Sequence, residues 1–207
     1  EKAMTADGSG TSVSIAALTY THYGNTAPVQ AEVANLTRNI IVRPTSTFTS
    51  FVYLGPDSTT TFYWANFQTL GAGNIAYKRG IELTTFGGTA DIRYCVMQGY
   101  TVAGSSGVFC TSANNYTLKY NIFYNYTQAD GIYTSGGTAT SWEVSYNLAI
   151  KTGNSASYNF SQCGGTISYN VAAGAAYNNQ VLGFNFSGTV AGGTITNNVA
   201  HTNRGTG

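Results

Sequence analysis

Residues 118–122 read LKYNI, and 26 residues further on residues 144–148 read VSYNL. Both follow one frame: apolar, any residue, mostly large, asparagine, apolar. The frame recurs as LTRNI (36–40), YWANF (63–67), IRYCV (92–96), ISYNV (167–171) and ITNNV (195–199). Its start positions step by 27, 29, 26, 26, 23 and 28 residues. The fourth place forms a column of Asn39, Asn66, Asn121, Asn147, Asn170 and Asn198, with Cys95 standing in at the third tooth. A second column runs between the teeth: GIELT (80–84), GVFCT (107–111), GIYTS (131–135), SYNFS (157–161) and GFNFS (183–187). Its steps are 27, 24, 26 and 26, so two independent columns share one period.

Short β-rich teeth at this period, with no helical segment between them, describe a coil of strands. One turn cannot bury its apolar side alone. Stacked turns pair strand on strand at about 4.8 Å and enclose a continuous core. The expected fold is therefore all-β: a right-handed parallel β-helix, right-handed because parallel crossovers nearly always are. The teeth of residues 36–199 predict about seven turns, a coil roughly 30 Å long. The expected organisation is an irregular or strand-like lead-in over 1–29 and the β-helix over 30–207.

The asparagine column has a mechanical reading. A coil must turn between its sheets, and a one-residue corner takes the left-handed conformation, which asparagine tolerates better than most residues. Stacked amides can also hydrogen-bond along the coil. Asn39 and its counterparts thus read first as structural corner residues and only second as a site.

The period of two within a strand assigns faces in the second column. Ile81, Val108, Ile132, Tyr158 and Phe184 point inward, as do Leu83, Cys110, Thr134, Phe160 and Phe186. Glu82, Phe109, Tyr133, Asn159 and Asn185 point outward. Asn-x-Ser/Thr sequons stand at Asn35, Asn115, Asn125, Asn159 and Asn185. They point to a secreted glycoprotein carrying covalent N-glycans. Asn159 and Asn185 fall on adjacent turns, where two glycans would crowd each other.

Composition narrows the partners. Charged residues are 8% and the net charge is +1. No basic stripe for nucleic acid and no basic amphipathic helix for a membrane surface is present. No apolar run approaches the length of a membrane-spanning helix. The start EKAMTADGSG reads as mature or trimmed. The three cysteines, Cys95, Cys110 and Cys163, fit no zinc spacing. Cys110 reads as a small core residue, and a Cys95–Cys110 bond would fall within one turn. No cofactor, metal, phosphate loop or nucleophile-elbow motif is indicated.

Polysaccharide chemistry is the catalytic alternative. Glycoside hydrolysis needs two carboxylates about 5–10 Å apart. Asp91 and Glu143 precede teeth two turns apart, a spacing that suits an inverting pair. Asp91 also lies two residues from Arg93, which reads as a surface ion pair. Arg93 and Lys119 hold equivalent outer positions on adjacent turns and form a candidate contact for an acidic sugar. No cluster of three acids accompanies them for calcium. Phe109 and Tyr133 are candidate glycan contacts too, or a pair covered by packing, and FYW (62–64) is another aromatic cluster. Glu32 and Arg38 read as an ion pair closing the first turn.

Residues 18–42, LTYTHYGNTAPVQAEVANLTRNIIV, resemble the approach to the β-helix in the fibrocystin-like family, which includes cell-surface hyaluronidases with a G8 domain. The likeness rests on His22 in HYG, on Glu32-Val33 and on Leu36-Thr37-Arg38-Asn39-Ile40, and continues through NFQTLGAG (66–73). It implies a β-helix, an extracellular setting and a large modular parent. The hyaluronidase members carry a His-x-His element after the NF…G tooth. Here that stretch reads IAYKRGIELTT (75–85), and the two histidines are His22 and His201. The resemblance thus implies the fold and setting without the hydrolase chemistry.

Three functions follow as expectations. The first is a structural segment of an extracellular surface protein or filament, self-associating through its ends and faces, since an open coil end presents unpaired strands. The second is a polysaccharide hydrolase or lyase. The third is a non-catalytic glycan-binding module using Phe109, Tyr133, Arg93 and Lys119.

Overall fold

The computed structural model describes residues 4–5, 14–15, 40–44, 50–73, 75–84, 87–99, 105–112, 115–125, 130–135, 142–150, 156–161, 164–174, 182–187 and 193–201. Two compact units are present, residues 1–35 and 36–207. In the first, β1 (Met4–Thr5) pairs antiparallel with β2 (Ser14–Ile15).

The second unit is a parallel β-helix. Its strands are β3 (Ile40–Val42), β4 (Val52–Leu54), β5 (Thr59–Tyr63), β6 (Ala65–Gln68), β7 (Gly80–Thr84), β8 (Thr89–Arg93) and β9 (Val96–Gln98). There follow β10 (Ser106–Thr111), β11 (Tyr116–Lys119), β12 (Ile122–Tyr124), β13 (Asp130–Ser135), β14 (Glu143–Ser145) and β15 (Leu148–Ile150). The last are β16 (Ala156–Ser161), β17 (Thr166–Ser168), β18 (Val171–Ala173), β19 (Leu182–Ser187), β20 (Thr194–Thr196) and β21 (Val199–His201). Every third strand stacks. The first sheet runs β4-β7-β10-β13-β16-β19, the second β5-β8-β11-β14-β17-β20, and the third β3-β6-β9-β12-β15-β18-β21. Among the described residues, two sheets of six strands and one of seven make six complete turns and one further strand, against the expected seven.

The second column stacks as its pattern predicts. Ile81, Val108, Ile132, Tyr158 and Phe184 pair in register, as do Leu83, Cys110, Thr134, Phe160 and Phe186. Most are fully buried; Phe186, on the last described strand of its sheet, is 40% exposed. The core keeps its volume by exchange between sheets. Inward positions of the third sheet read Phe67, Met97, Phe123, Ala149, Ala172. Where these shrink to alanine, the first sheet supplies Tyr158 and Phe160 in place of Val108 and Cys110. The Tyr158 hydroxyl then reaches the Val171 carbonyl at 3.1 Å, which satisfies its one buried polar atom. Burial raises the Tyr158 pKa well above that of an ordinary phenol, so the group stays neutral.

The corner is where the structure corrects the sequence reading. At the corner between the second and third sheets the left-handed residues are Trp64, Tyr94, Tyr120, Tyr146, Tyr169 and Asn197, with φ of 61°, 55°, 57°, 56°, 56° and 55°. The column asparagines come one residue later. A left-handed residue swings its own side chain to solvent and turns the next one inward. Asn121, Asn147 and Asn170 are accordingly buried, at 1%, 1% and 0% exposure. Their amides form a ladder that repairs the strand pairing broken at each corner. The Oδ1 of Asn147 accepts from the Asn121 backbone N–H at 3.0 Å and from its Nδ2 at 3.1 Å. Asn170 does the same for Asn147, and Asn198 for Asn170. Each Nδ2 also donates to a carbonyl one turn back: Ile92, Leu118, Val144 and Ile167. Only a primary amide offers donor and acceptor at this reach.

Two further corrections concern the column. Asn66 is not in it: Phe62 pairs with Ile92 and Asn66 with Val96, so Ala65 takes the ladder place and the tooth reads FYWAN (62–66). Asn66 instead accepts from Gln98 Nε2 at 3.1 Å. Cys95 does hold the ladder place. Its N–H donates to Asn121 Oδ1, and its thiol donates to the Phe62 carbonyl at 3.3 Å, standing in for the amide Nδ2. Cys95 and Cys110 are both buried thiols, not joined to each other. Asn35, Asn39, Glu32, Arg38, His22 and Cys163 lie outside the described residues.

Gly165 stands just before β17 with φ +104°, and a Cβ there would sit 2.6 Å from the Trp142 carbonyl oxygen and from its indole. Trp142 is itself buried. Gly165→Ala is expected to lower unfolding free energy by about 2 kcal/mol, from backbone strain and the displaced tryptophan; urea denaturation measures it, and a loss below about 0.5 kcal/mol would show that the site relaxes freely.

Candidate functional site

The corner between the second and third sheets carries the most distinctive surface. Each left-handed residue there projects its side chain outward at the same point of its turn. The result is a stack of rings along the coil axis: Trp64–Tyr94 at 4.3 Å, Tyr94–Tyr120 at 5.1 Å, Tyr120–Tyr146 at 5.2 Å and Tyr146–Tyr169 at 4.8 Å. Neighbouring planes lie within 20° of parallel. Trp64, Tyr120, Tyr146 and Tyr169 are 40–56% exposed. A left-handed non-glycine residue costs on the order of 1–2 kcal/mol. A stacked aromatic pair contributes about 0.5–1.5 kcal/mol. Stacking along the ladder therefore offsets a good part of the corner strain, which helps large aromatics hold a conformation expected of asparagine.

Charged groups flank this ridge on the second sheet. Lys119 and Arg93 pair in register, and so do Thr117 with Asp91 and Thr117 with Glu143. Arg93 Nε lies 2.6 Å from Asp91 Oδ1, and the Tyr63 hydroxyl donates to Asp91 Oδ2 at 2.5 Å. Lys119 Nζ lies 2.9 Å from Glu143 and 5.9 and 5.8 Å from the Tyr120 and Tyr146 ring centres. Donating a hydrogen bond to Asp91 raises the pKa of both Tyr63 and Arg93. Burial alone would raise Glu143, but bonds from Lys119 and Ser145 and the Lys119 charge outweigh it and hold its carboxyl below the usual range.

The sequence candidates are thereby divided. Asp91 and Glu143 face the same way two turns apart, but each is spent on a cation, and Glu143 is held ionised, the wrong state for a general acid. Arg93 and Lys119 are adjacent, and each already has a carboxylate. Phe109 and Tyr133 stack at 4.7 Å on the first sheet, a different face, so the four possible glycan contacts do not converge. The Arg79 guanidinium covers the Phe109 ring at 4.4 Å. Beside it Glu82, expected outward, is fully buried, bonded by the Arg79 N–H, the Arg79 guanidinium and the Thr84 hydroxyl.

Among the sequons, Asn115 and Asn125 are exposed and Asn185 is half-buried; Asn159 pairs in register with Asn185. Asn125 has φ 57° and Asn197 φ 55°, so asparagine's left-handed tolerance is used at these two turns, not by the ladder asparagines. No cluster of three potential metal-binding side chains and no helix able to cross a membrane occurs among the described residues.

The aromatic ridge was missed from the sequence, although its signal was there: the "mostly large" third place of the teeth holds Tyr94, Tyr120, Tyr146 and Tyr169. No family model, curated protein or solved structure matches the chain.

Glu143 carries a pH prediction. Its folded pKa is below the reference value of 4.5, so the stability it adds is present above that value and lost as pH falls through the folded pKa. The pair is partly exposed, which limits the effect to under about 1 kcal/mol. Lys119→Met is expected to lose less stability than the wild type between pH 7 and pH 3, read from urea midpoints; equal losses would contradict the pairing.

Proposed function

We propose that this chain is a structural segment of an extracellular glycoprotein, a β-helix building block that associates with other subunits through its faces. The observation that carries this reading is the exposed aromatic ridge running over five successive turns. Isolated exposed aromatics are common; a continuous row of them marks an interaction surface. The rings spend their faces on one another and present edges and hydroxyls outward. That suits lateral packing better than a sugar, which stacks on an open ring face. Five sequons and the fibrocystin-like resemblance support the extracellular setting.

Expression in a secreting eukaryotic host tests it. The expected result is sugar on Asn115 or Asn125 in the intact mass, and a species larger than a monomer by light scattering. A monodisperse, unglycosylated monomer overturns the reading. The catalytic alternative is tested by depolymerisation of hyaluronan and pectin, with Asp91→Ala and Glu143→Ala as controls.

A further inference from the structure

The ridge and its charges suggest which subunit it meets. Six left-handed corners, Trp64 to Asn197, lie along it, and their midpoint falls between Tyr120 and Tyr146. Lys119 stands beside the ridge just before that midpoint, and Glu143 just after it. We propose that two copies of this chain pair along the ridge, antiparallel, about a two-fold axis through that midpoint. This deepens the building-block reading above and rests on it.

Three constraints select this arrangement. Both copies rise by one strand spacing per turn, so in an antiparallel pair all six corners meet a corner of the partner. A two-fold axis perpendicular to both coils keeps the charged sheets on the same side of the contact. In the midpoint register, Lys119 then faces the partner's Glu143, and Glu143 faces the partner's Lys119. Moving the axis half a turn toward the start sets Lys119 against its own counterpart, and half a turn toward the end sets Glu143 against its own. A parallel pair places the charges on opposite sides of the contact. Only the midpoint register is self-complementary, as an isologous interface requires.

The test separates contacts between chains from those within one. Lys119→Glu places two acids beside the ridge, and Glu143→Lys two bases. Either variant alone is repelled by its own copy, and self-association measured by sedimentation should weaken at least about tenfold. Mixed one to one, each charge faces its opposite across the axis, and a heterodimer should form at near wild-type affinity. The intrachain pair stays broken in both variants, so recovery on mixing cannot come from within a chain. The double variant Lys119→Glu/Glu143→Lys restores both kinds of pair, and should dimerise as the wild type does, even if a single variant folds poorly. A mixture that stays monomeric, or single variants that associate normally, overturns the proposal while leaving assembly through another face intact. A wild type that is monomeric throughout overturns both readings.

Discussion

Asn147→Leu is expected to lower unfolding free energy by about 4 kcal/mol, the sum of one or two buried groups left unbonded at about 1–3 kcal/mol each and the loss of a cooperative amide ladder. The Asn147 side chain makes four bonds, all buried. It accepts from the Asn121 backbone N–H and Nδ2, and donates to the Leu118 carbonyl and to Asn170 Oδ1. Leucine fits the volume but supplies neither role. The Asn121 N–H is left in the core with no acceptor, at a corner where the strand ladder cannot supply one. For a chain of this size about 4 kcal/mol corresponds to a fall of roughly 10–15 °C in Tm. In a coil each turn touches only its neighbours, so the damage should also weaken the coupling between turns and broaden the transition. Thermal and urea unfolding measure both. A loss under about 1 kcal/mol would mean that the amides merely occupy the corner.

Phe160→Ala should cost about 3–5 kcal/mol, as buried aromatic truncations do. Phe160 is fully buried and stacks near Trp142, Tyr158 and Phe186, at 6.4, 6.3 and 5.4 Å. Its strand lies between the two third-sheet strands whose inward residues have fallen to Ala149 and Ala172. No large neighbour from that side can move in, so the cavity stays open. Urea unfolding measures it, and a loss under about 1.5 kcal/mol would show that neighbouring side chains close the cavity.

The two predictions draw on different depths of the sequence. The amide ladder needs only the recurrence of Asn121, Asn147, Asn170 and Asn198 at one period. The core trade needs to know which positions face one another across the coil, which no local pattern states. The tooth at residues 62–66 shows where pattern reading slips. Its asparagine comes one place late, so matching letters aligned Asn66 with the column; the pairing of Phe62 with Ile92 puts Ala65 there instead. Glu82 shows the complementary failure. Period two sends it outward correctly, yet Arg79, just before the strand, and Phe109, on the next turn, close over it, and the strand's own alternation carries no trace of that cover.

The amino-acid order alone determined that this chain coils, where its strands lie in the second column, and that asparagines stack. These follow from repetition: the same residue returning at a constant interval must return to the same place in the turn. Only the tertiary structure decided which residue of the tooth takes the left-handed corner. That choice rests on a balance between backbone strain and stacking with rings about 26 residues away, and no residue carries such a balance by itself. The aromatic ridge, and with it the surface on which the proposed assembly depends, exists because that balance favours tyrosine at the corner and sends asparagine inside.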